Sequence, residues 1–325
     1  IIRPPAEDYL VQTVDFLRAF VEDPYLFGEI AANHALNDVL AMGGRPRHAL
    51  ATAVVPAGPA AKVEETLFQL LAGARACLDR EGVALVGGHS SEGPELSLGL
   101  SVTGTVAGGA IAHKGGLRAG DLLLLTKPLG TGILFAAAMR AKARAPMIEA
   151  ALAEMRRSNR EAAAILLAQG ATALTDVSGF GLAGHLGEML VASGAEAVLE
   201  LVAIPLYPGT LALARAGIAS TLLPENLALA GLLRGEADAA SRALLFDPQT
   251  SGGLLAGAHR RPDARGRRRG RVAPPGPCPL RPLPRHRPWP AQGPHVSHGP
   301  PRRQQRPHPR GHGRRRRDGP AALGS

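Results

Sequence analysis

The run 10–16, Leu-Val-Gln-Thr-Val-Asp-Phe, is rich in β-branched and apolar residues and predicts a strand with Asp15 near its end. Asp23-Pro24 then offers an N-cap followed by proline at the first helical position. The helix it starts runs to about Met42, where Gly43-Gly44 stops it. Residues 47–55 make the next strand, a helix covers about Pro59 to Arg80, and a short strand follows from Val83 to Val86. Glu95 to Val106 alternates as a longer strand. The polar, glycine-rich stretch Lys114 to Gly120 marks a domain boundary. Beyond it, Asp121 to Thr126 is a fully apolar strand, and 127–132, Lys-Pro-Leu-Gly-Thr-Gly, is a turn that opens a helix. A long alanine-rich helix spans roughly Pro146 to Gln169, and a strand ends in Thr175-Asp176. A helix from about Phe180 to Ala192, a strand from Val198 to Ala203, a loop from Phe246 to Gly253 and a strand starting at Leu254 complete the pattern. Strands alternating with helices predict an α/β or α+β layered architecture, and there is no internal repeat of 20–50 residues.

Composition changes this picture at one place. The chain has 325 residues, 45% of them hydrophobic, and a formal net charge of +10. From His259 to Ser325 there are 18 Arg, no Lys, two acids and 15 of the 28 prolines, so this tail alone is +16. The remaining 19 basic and 25 acidic residues leave residues 1–258 at −6. The tail has no period of 2 or 3.6 and too little apolar surface to offset its chain entropy, so it is expected to be disordered. It is open to three readings: a basic arm for nucleic acid, a solvated linker, or a segment outside the native reading frame. The abrupt change after Ala258, in the middle of a strand, favours the third.

Other classes are narrowed as well. No apolar run approaches the ~20 residues of a membrane span. Aromatics are 3% of the chain, which argues against a base-stacking nucleic-acid platform. Cys77 and Cys278 lie far apart, which excludes a disulfide framework and a cysteine zinc site and suits the cytoplasm.

Candidate chemistry rests on carboxylates and glycines. Asp38 lies in a helix with few solvent-facing positions, Asp15 ends a strand, and Asp247 opens the loop Asp-Pro-Gln-Thr-Ser-Gly-Gly. A carboxylate among apolar residues needs a cation or several donors, and hard cations such as Mg²⁺ take oxygen ligands with phosphate co-ligands. Capping and turn roles for the same three residues stay open. Gly87-Gly88-His89-Ser90-Ser91, Gly179-Phe180-Gly181 and Ser251-Gly252-Gly253 are glycine loops of the kind that approach phosphate, though none matches a dinucleotide or P-loop fingerprint. Cys77 reads as a core thiol, and there is no nucleophile elbow and no His-Glu zinc helix.

Together, the runs 12–16, 31–44, 86–90, LLTKPLGTG at 124–132, TDVSGFGLAGHL at 175–186 and FDPQTSGGLL at 246–255 resemble selenophosphate synthetase (selenide, water dikinase). That family belongs to the aminoimidazole ribonucleotide synthetase superfamily. The resemblance covers roughly residues 5–257 and implies a two-domain fold: an ATP-binding α/β domain at 1–113, a second α/β domain at 114–258, and the tail at 259–325. It implies ATP and selenide as substrates, with selenophosphate, AMP and phosphate as products, and Mg²⁺ bridging aspartates and polyphosphate. By that resemblance Asp38 and Asp247 are Mg²⁺ ligands and Asp15 lies at the ATP–metal site. Gly87, Gly88 and His89, with Ser90, contact ATP in a loop reached across a homodimer interface, and Asn33 is a supporting polar contact. The family's glycine-rich loop with a Cys or selenocysteine and a Lys is expected upstream of Ile1, so the sequence reads as a partial and catalytically defective chain. A thiamine-phosphate kinase or hydrogenase-maturation ATPase of the same superfamily, or a nucleic-acid-binding protein acting through its tail, is the alternative reading.

Overall fold

β1 (Asp8–Arg18) runs antiparallel to β4 (Ser97–Ala107), β4 to β2 (Arg45–Pro56), and β2 parallel to β3 (Ala84–Gly93), giving one sheet in the order β1-β4-β2-β3. The computed structural model describes residues 8–259 and the backbone of 271–273. The readings of Ile1 and its upstream context, and most of those on the tail, lie outside the described residues.

Helix α1 (Pro24–Ala41) follows the predicted signals: the Asp23 carboxylate accepts from the Leu26 N–H at 3.0 Å, and Gly43 closes the end with φ +73°. Ala31, Ala35 and Val39 pack on Ala49, Ala51 and Ala53 of β2 and on Leu98, Leu100 and Val102 of β4. The same cluster takes in Leu174, Leu254 and Ala256 of the second sheet, which is why α1 is buried on nearly every face. Its crossing with α2 (Ala60–Arg80) is backbone on backbone. A Cβ at Gly28 would fall 2.0 Å from the Leu70 carbonyl oxygen, and one at Gly73 within 1.9 Å of that of Tyr25.

The second sheet has the order β6-β8-β5-β9-β7, with β5 (Leu122–Leu125), β6 (Ala171–Asp176), β7 (Glu196–Val198), β8 (Leu254–Ala258) and β9 (Arg271–Ala273). Around it lie α3 (Thr131–Ala138), α4 (Ala145–Arg156), α5 (Arg160–Ala168), α6 (Gly181–Ser193), α7 (Thr210–Arg215), α8 (Leu223–Asn226) and α9 (Ala239–Leu245). The mixed α/β expectation holds in both halves.

Four elements differ from the pattern reading. The glycine loop at 87–91 is strand: Gly88 lets β3 lie directly on β2, since a Cβ there would sit 2.0 Å from the Ala51 carbonyl oxygen. The single helix expected over 146–169 is two, α4 and α5, with Arg157 extended between them. The strand expected over 198–203 is β7 at 196–198 followed by a 3-10 turn, Leu201–Ala203. Arg271–Ala273, inside the segment expected to lack structure, pairs with both β5 and β7. Those two edges offer unpaired backbone groups, and this tripeptide contains no proline to refuse them.

Candidate functional site

Three carboxylates from both halves of the molecule face one another. Along β1 the alternation turns Thr13 and Asp15 inward and Val14 and Phe16 outward. The Thr13 hydroxyl donates to the Asp38 carboxylate at 2.5 Å, joining β1 to the last turn of α1. Asp176 ends β6 and is buried. Burial, with the charges of Asp38 and Asp176, pushes Asp15 up to about 7. Burial and then Asp38 push Asp176 up to about 6, with His34, the Ser178 hydroxyl and the charge of Lys114 acting the other way. Among the described residues no lysine or arginine forms an ion pair with Asp15, Asp38 or Asp176. Neighbouring carboxylates with no lysine or arginine paired to them are the donor set a hard cation suits.

The described residues form no all-protein metal cage. No group of three or more His, Cys, Asp or Glu among the described residues closes on a single point. Mg²⁺ keeps several waters and takes one or two carboxylates plus phosphate oxygens, so an open group of aspartates matches it.

A buried polar knot holds the two halves together beside this cluster. Glu29, Asn33 and Asn37 recur every four residues on α1, and each is 1% exposed. Glu29 pairs with Arg80 of α2 and Arg156 of α4, both at 2.6 Å. The Asn33 amide donates to the Met155 and Arg157 carbonyls at 2.8 and 3.0 Å and to Ser251 Oγ at 2.8 Å. Asn159 Nδ2 bridges Asn37 Oδ1 and the Gly252 carbonyl at 3.0 and 2.8 Å. Lys127, 2% exposed, places Nζ 2.7 Å from the Arg157 carbonyl and 3.1 Å from that of Ser251, and burial with nearby Arg157 brings it down to about 7. The break between α4 and α5 therefore frees carbonyls that Asn33, Lys127 and Ser251 consume. This is why a helical sequence pattern does not continue as one helix.

The expected site residues thus fall into separate places. Asp15 and Asp38 are brought together. Asn33 sits close by in sequence but is buried in the knot. Gly87, Gly88, His89 and Ser90 are exposed on edge strand β3, with β2 and β4 between them and β1. Asp247 begins the loop that crosses the start of α3. Its Oδ2 accepts from the Gly132 N–H and from Gln249 Nε2, both at 3.0 Å, while Gln249 Oε1 accepts from the Gly130 N–H at 2.9 Å. Its Oδ1 is buried without a hydrogen-bond partner. Burial pushes Asp247 up to about 7, with no contribution from the other aspartates. Asp176, His34 and Lys127 were not singled out from sequence. Asp176 carries the same signal as Asp15, an aspartate at the end of a strand, here followed by a glycine turn. Ser178 extends the turn by donating its N–H to His185 Nε2 at 3.1 Å, and burial holds His185 down to about 4.

Two α/β halves meeting at a carboxylate cluster define the AIR synthase-related class. Residues 1–108 match the family "AIR synthase related protein, N-terminal domain" and residues 118–222 its C-terminal counterpart. Within that class the chain belongs to the selenide, water dikinase family. It is 42% identical over 250 residues to the selenide, water dikinase of Pelobacter propionicus, covering 76% of this chain and 71% of that one. It is 43% identical over 262 residues to that of Nitratidesulfovibrio vulgaris (strain DSM 19637 / Miyazaki F), covering 78% and 73%. Among solved structures, thiamine-monophosphate kinase from Stenotrophomonas maltophilia K279a superposes with a TM-score of 0.64 at 22% identity, over 84% of this chain and 85% of that one. Hydrogenase maturation protein HypE in complex with ATP gives 0.58 at 19%, over 80% and 71%. These likenesses speak to the fold alone.

Proposed function

We propose that this chain binds ATP with Mg²⁺ at Asp15, Asp38 and Asp176 and serves the selenide, water dikinase reaction, in which ATP, selenide and water give selenophosphate, AMP and phosphate. The observation that carries the reading is the meeting of Asp15, Asp38 and Asp176 from two halves, with Asp15 and Asp176 desolvated and no lysine or arginine among the described residues ion-paired to any of the three. Asp15, Asp38 and Asp176 would hold Mg²⁺, which would supply charge neutralisation for phosphoryl transfer. The chain's own contribution is positioning. Thr13 holds one oxygen of Asp38, the Ser178 hydroxyl bonds to Asp176, and the polar knot fixes both halves around them. In this reading Asp247 caps α3 and stands outside the cation group.

Dimerisation belongs to the same proposal. The outer face of the first sheet carries exposed Leu10, Val14, Phe16 and Leu50, with Val14 72% accessible. A second copy packed on this face about a two-fold axis along the strands would set β3 over the other copy's β1. Gly87–Ser90 would then lie beside the other copy's β1, the strand that carries Asp15, whereas within one chain β2 and β4 stand between them. No helix among the described residues is long and apolar enough to cross a membrane. Buried, unpaired Cys77 is compatible with a cytoplasmic enzyme.

Calorimetric titration of ATP with and without Mg²⁺ tests the site. Mg²⁺ is expected to strengthen binding, and Asp38→Asn and Asp176→Asn are each expected to remove that gain. Equal ATP affinity in the presence and absence of Mg²⁺ would refute the reading.

A further inference from the structure

His34 lies one turn before Asp38 on α1, and its ring is held at Nδ1 and faces Asp15 with Nε2. The Ser251 backbone N–H donates to Nδ1 at 2.9 Å. A nitrogen that accepts an N–H carries no proton, so the remaining ring proton sits on Nε2. Nε2 lies 3.9 Å from Asp15 Oδ1. Ser251 is itself constrained to make this contact. It is 1% exposed and holds φ +50°, a left-handed conformation uncommon for a residue with a side chain. Its hydroxyl donates to the Met155 carbonyl at 2.7 Å and accepts from Asn33, and its carbonyl accepts from Lys127. Every polar group of Ser251 is therefore committed, and the backbone strain is balanced by bonds that aim one N–H at His34.

We propose that His34 is a positioning residue for the cation site: locked by Ser251 into the tautomer with its proton on Nε2, it turns that N–H toward Asp15 Oδ1, 3.9 Å away, and biases Asp15 to offer its other oxygen to the cation. The proposal rests on the reading of Asp15, Asp38 and Asp176 as the cation group. It also assigns the Thr250–Gly253 segment a function, since this loop sets the orientation of an N-terminal carboxylate through one imidazole. Residues that orient metal-ligating side chains typically change metal affinity by ~10–100-fold when removed.

The test uses the full chain labelled with ¹⁵N. Imidazole correlation spectra at pH 8, with the His34 signals identified by their loss in His34→Phe, are expected to show a bare Nδ1 and a protonated Nε2. The opposite tautomer, or averaging between the two, overturns the proposal. In calorimetry, His34→Phe is expected to weaken the Mg²⁺-dependent part of ATP binding by ~10–100-fold. His34→Gln, which keeps a side-chain N–H, is expected to restore most of it. Asp38→Asn is the control. If it abolishes Mg²⁺-dependent binding while His34→Phe matches the native chain, His34 has no such role and the site reading stands. If Asp38→Asn has no effect, the site reading itself fails and the proposal falls with it. The spectra of the native chain remain decisive should His34→Phe not fold.

Discussion

Asp176→Asn should make the cation-free protein more stable while removing its Mg²⁺-dependent ATP binding. The carboxyl stands at about 6 in the folded protein against an ordinary 3.8, first through burial and then through the charge of Asp38. A carboxyl raised on folding binds its proton more tightly in the native state, so the fold is progressively penalised as pH rises from about 4 to about 6. Above that window the full penalty applies: about two pK units at 1.36 kcal/mol each, or about 3 kcal/mol. Asparagine keeps the shape and cannot ionise, so it removes the penalty. For a domain of this size that corresponds to a Tm higher by roughly 6–12 °C at pH 8, and about half as much at pH 5. Thermal scans in EDTA at the two pH values measure it directly. A variant that is destabilised at pH 8, or stabilised equally at both pH values, would refute the idea that Asp176 sits ionised and uncompensated in the cluster.

Three further outcomes follow from other parts of the structure. Gly28→Ala places a Cβ 2.0 Å from the Leu70 carbonyl oxygen and should cost roughly 1–3 kcal/mol in denaturant titrations, with the Tm falling accordingly. Asp247→Asn keeps an acceptor for the Gly132 N–H and should leave Mg²⁺-dependent ATP affinity unchanged, whereas Asp247→Ala should lose about 1 kcal/mol of stability through an uncapped α3; a collapse of Mg²⁺ dependence in Asp247→Asn would return Asp247 to the cation group. Phe16→Glu on the outer sheet face should shift the protein to monomer in analytical ultracentrifugation, and an unchanged sedimentation coefficient would remove that face as the interface.

Much of the first sheet and α1 could be read from local signals, because those signals are local chemistry. Asp23-Pro24 caps its own helix, Gly43 closes it, and the run 10–16 reads as a strand with Asp15 near its end. The rest depends on partners far along the chain. The alanine-rich run 146–169 has no residue that forbids one continuous helix. It breaks because Asn33, Lys127 and Ser251 offer better use for the carbonyls at the break. The glycines at 87–88 look like loop residues until β2 lies beside them and turns their missing side chains into close strand contact. Asp176 does not stand out in the sequence although its position matches that of Asp15, since a strand-end aspartate gains meaning only when a second and third carboxylate share its surroundings. Asp247 shows the converse. It looked like a ligand from its motif, while its hydrogen bonds go to the backbone of α3 and to Gln249.

The glycine-on-carbonyl contact between α1 and α2 has a mechanical meaning. Side chains between two helices act as a compliant cushion that can be compressed or rearranged. Here, at Gly28 and Gly73, the cushion is missing and the two backbones bear on each other directly. α1 therefore cannot roll about its own axis without dragging α2 along. The azimuth of Asp38, three turns further on, is set by a rigid bearing rather than by soft packing. Any drift at one glycine position must be met at the joint itself, so the two positions are expected to resist substitution together even though neither touches a ligand.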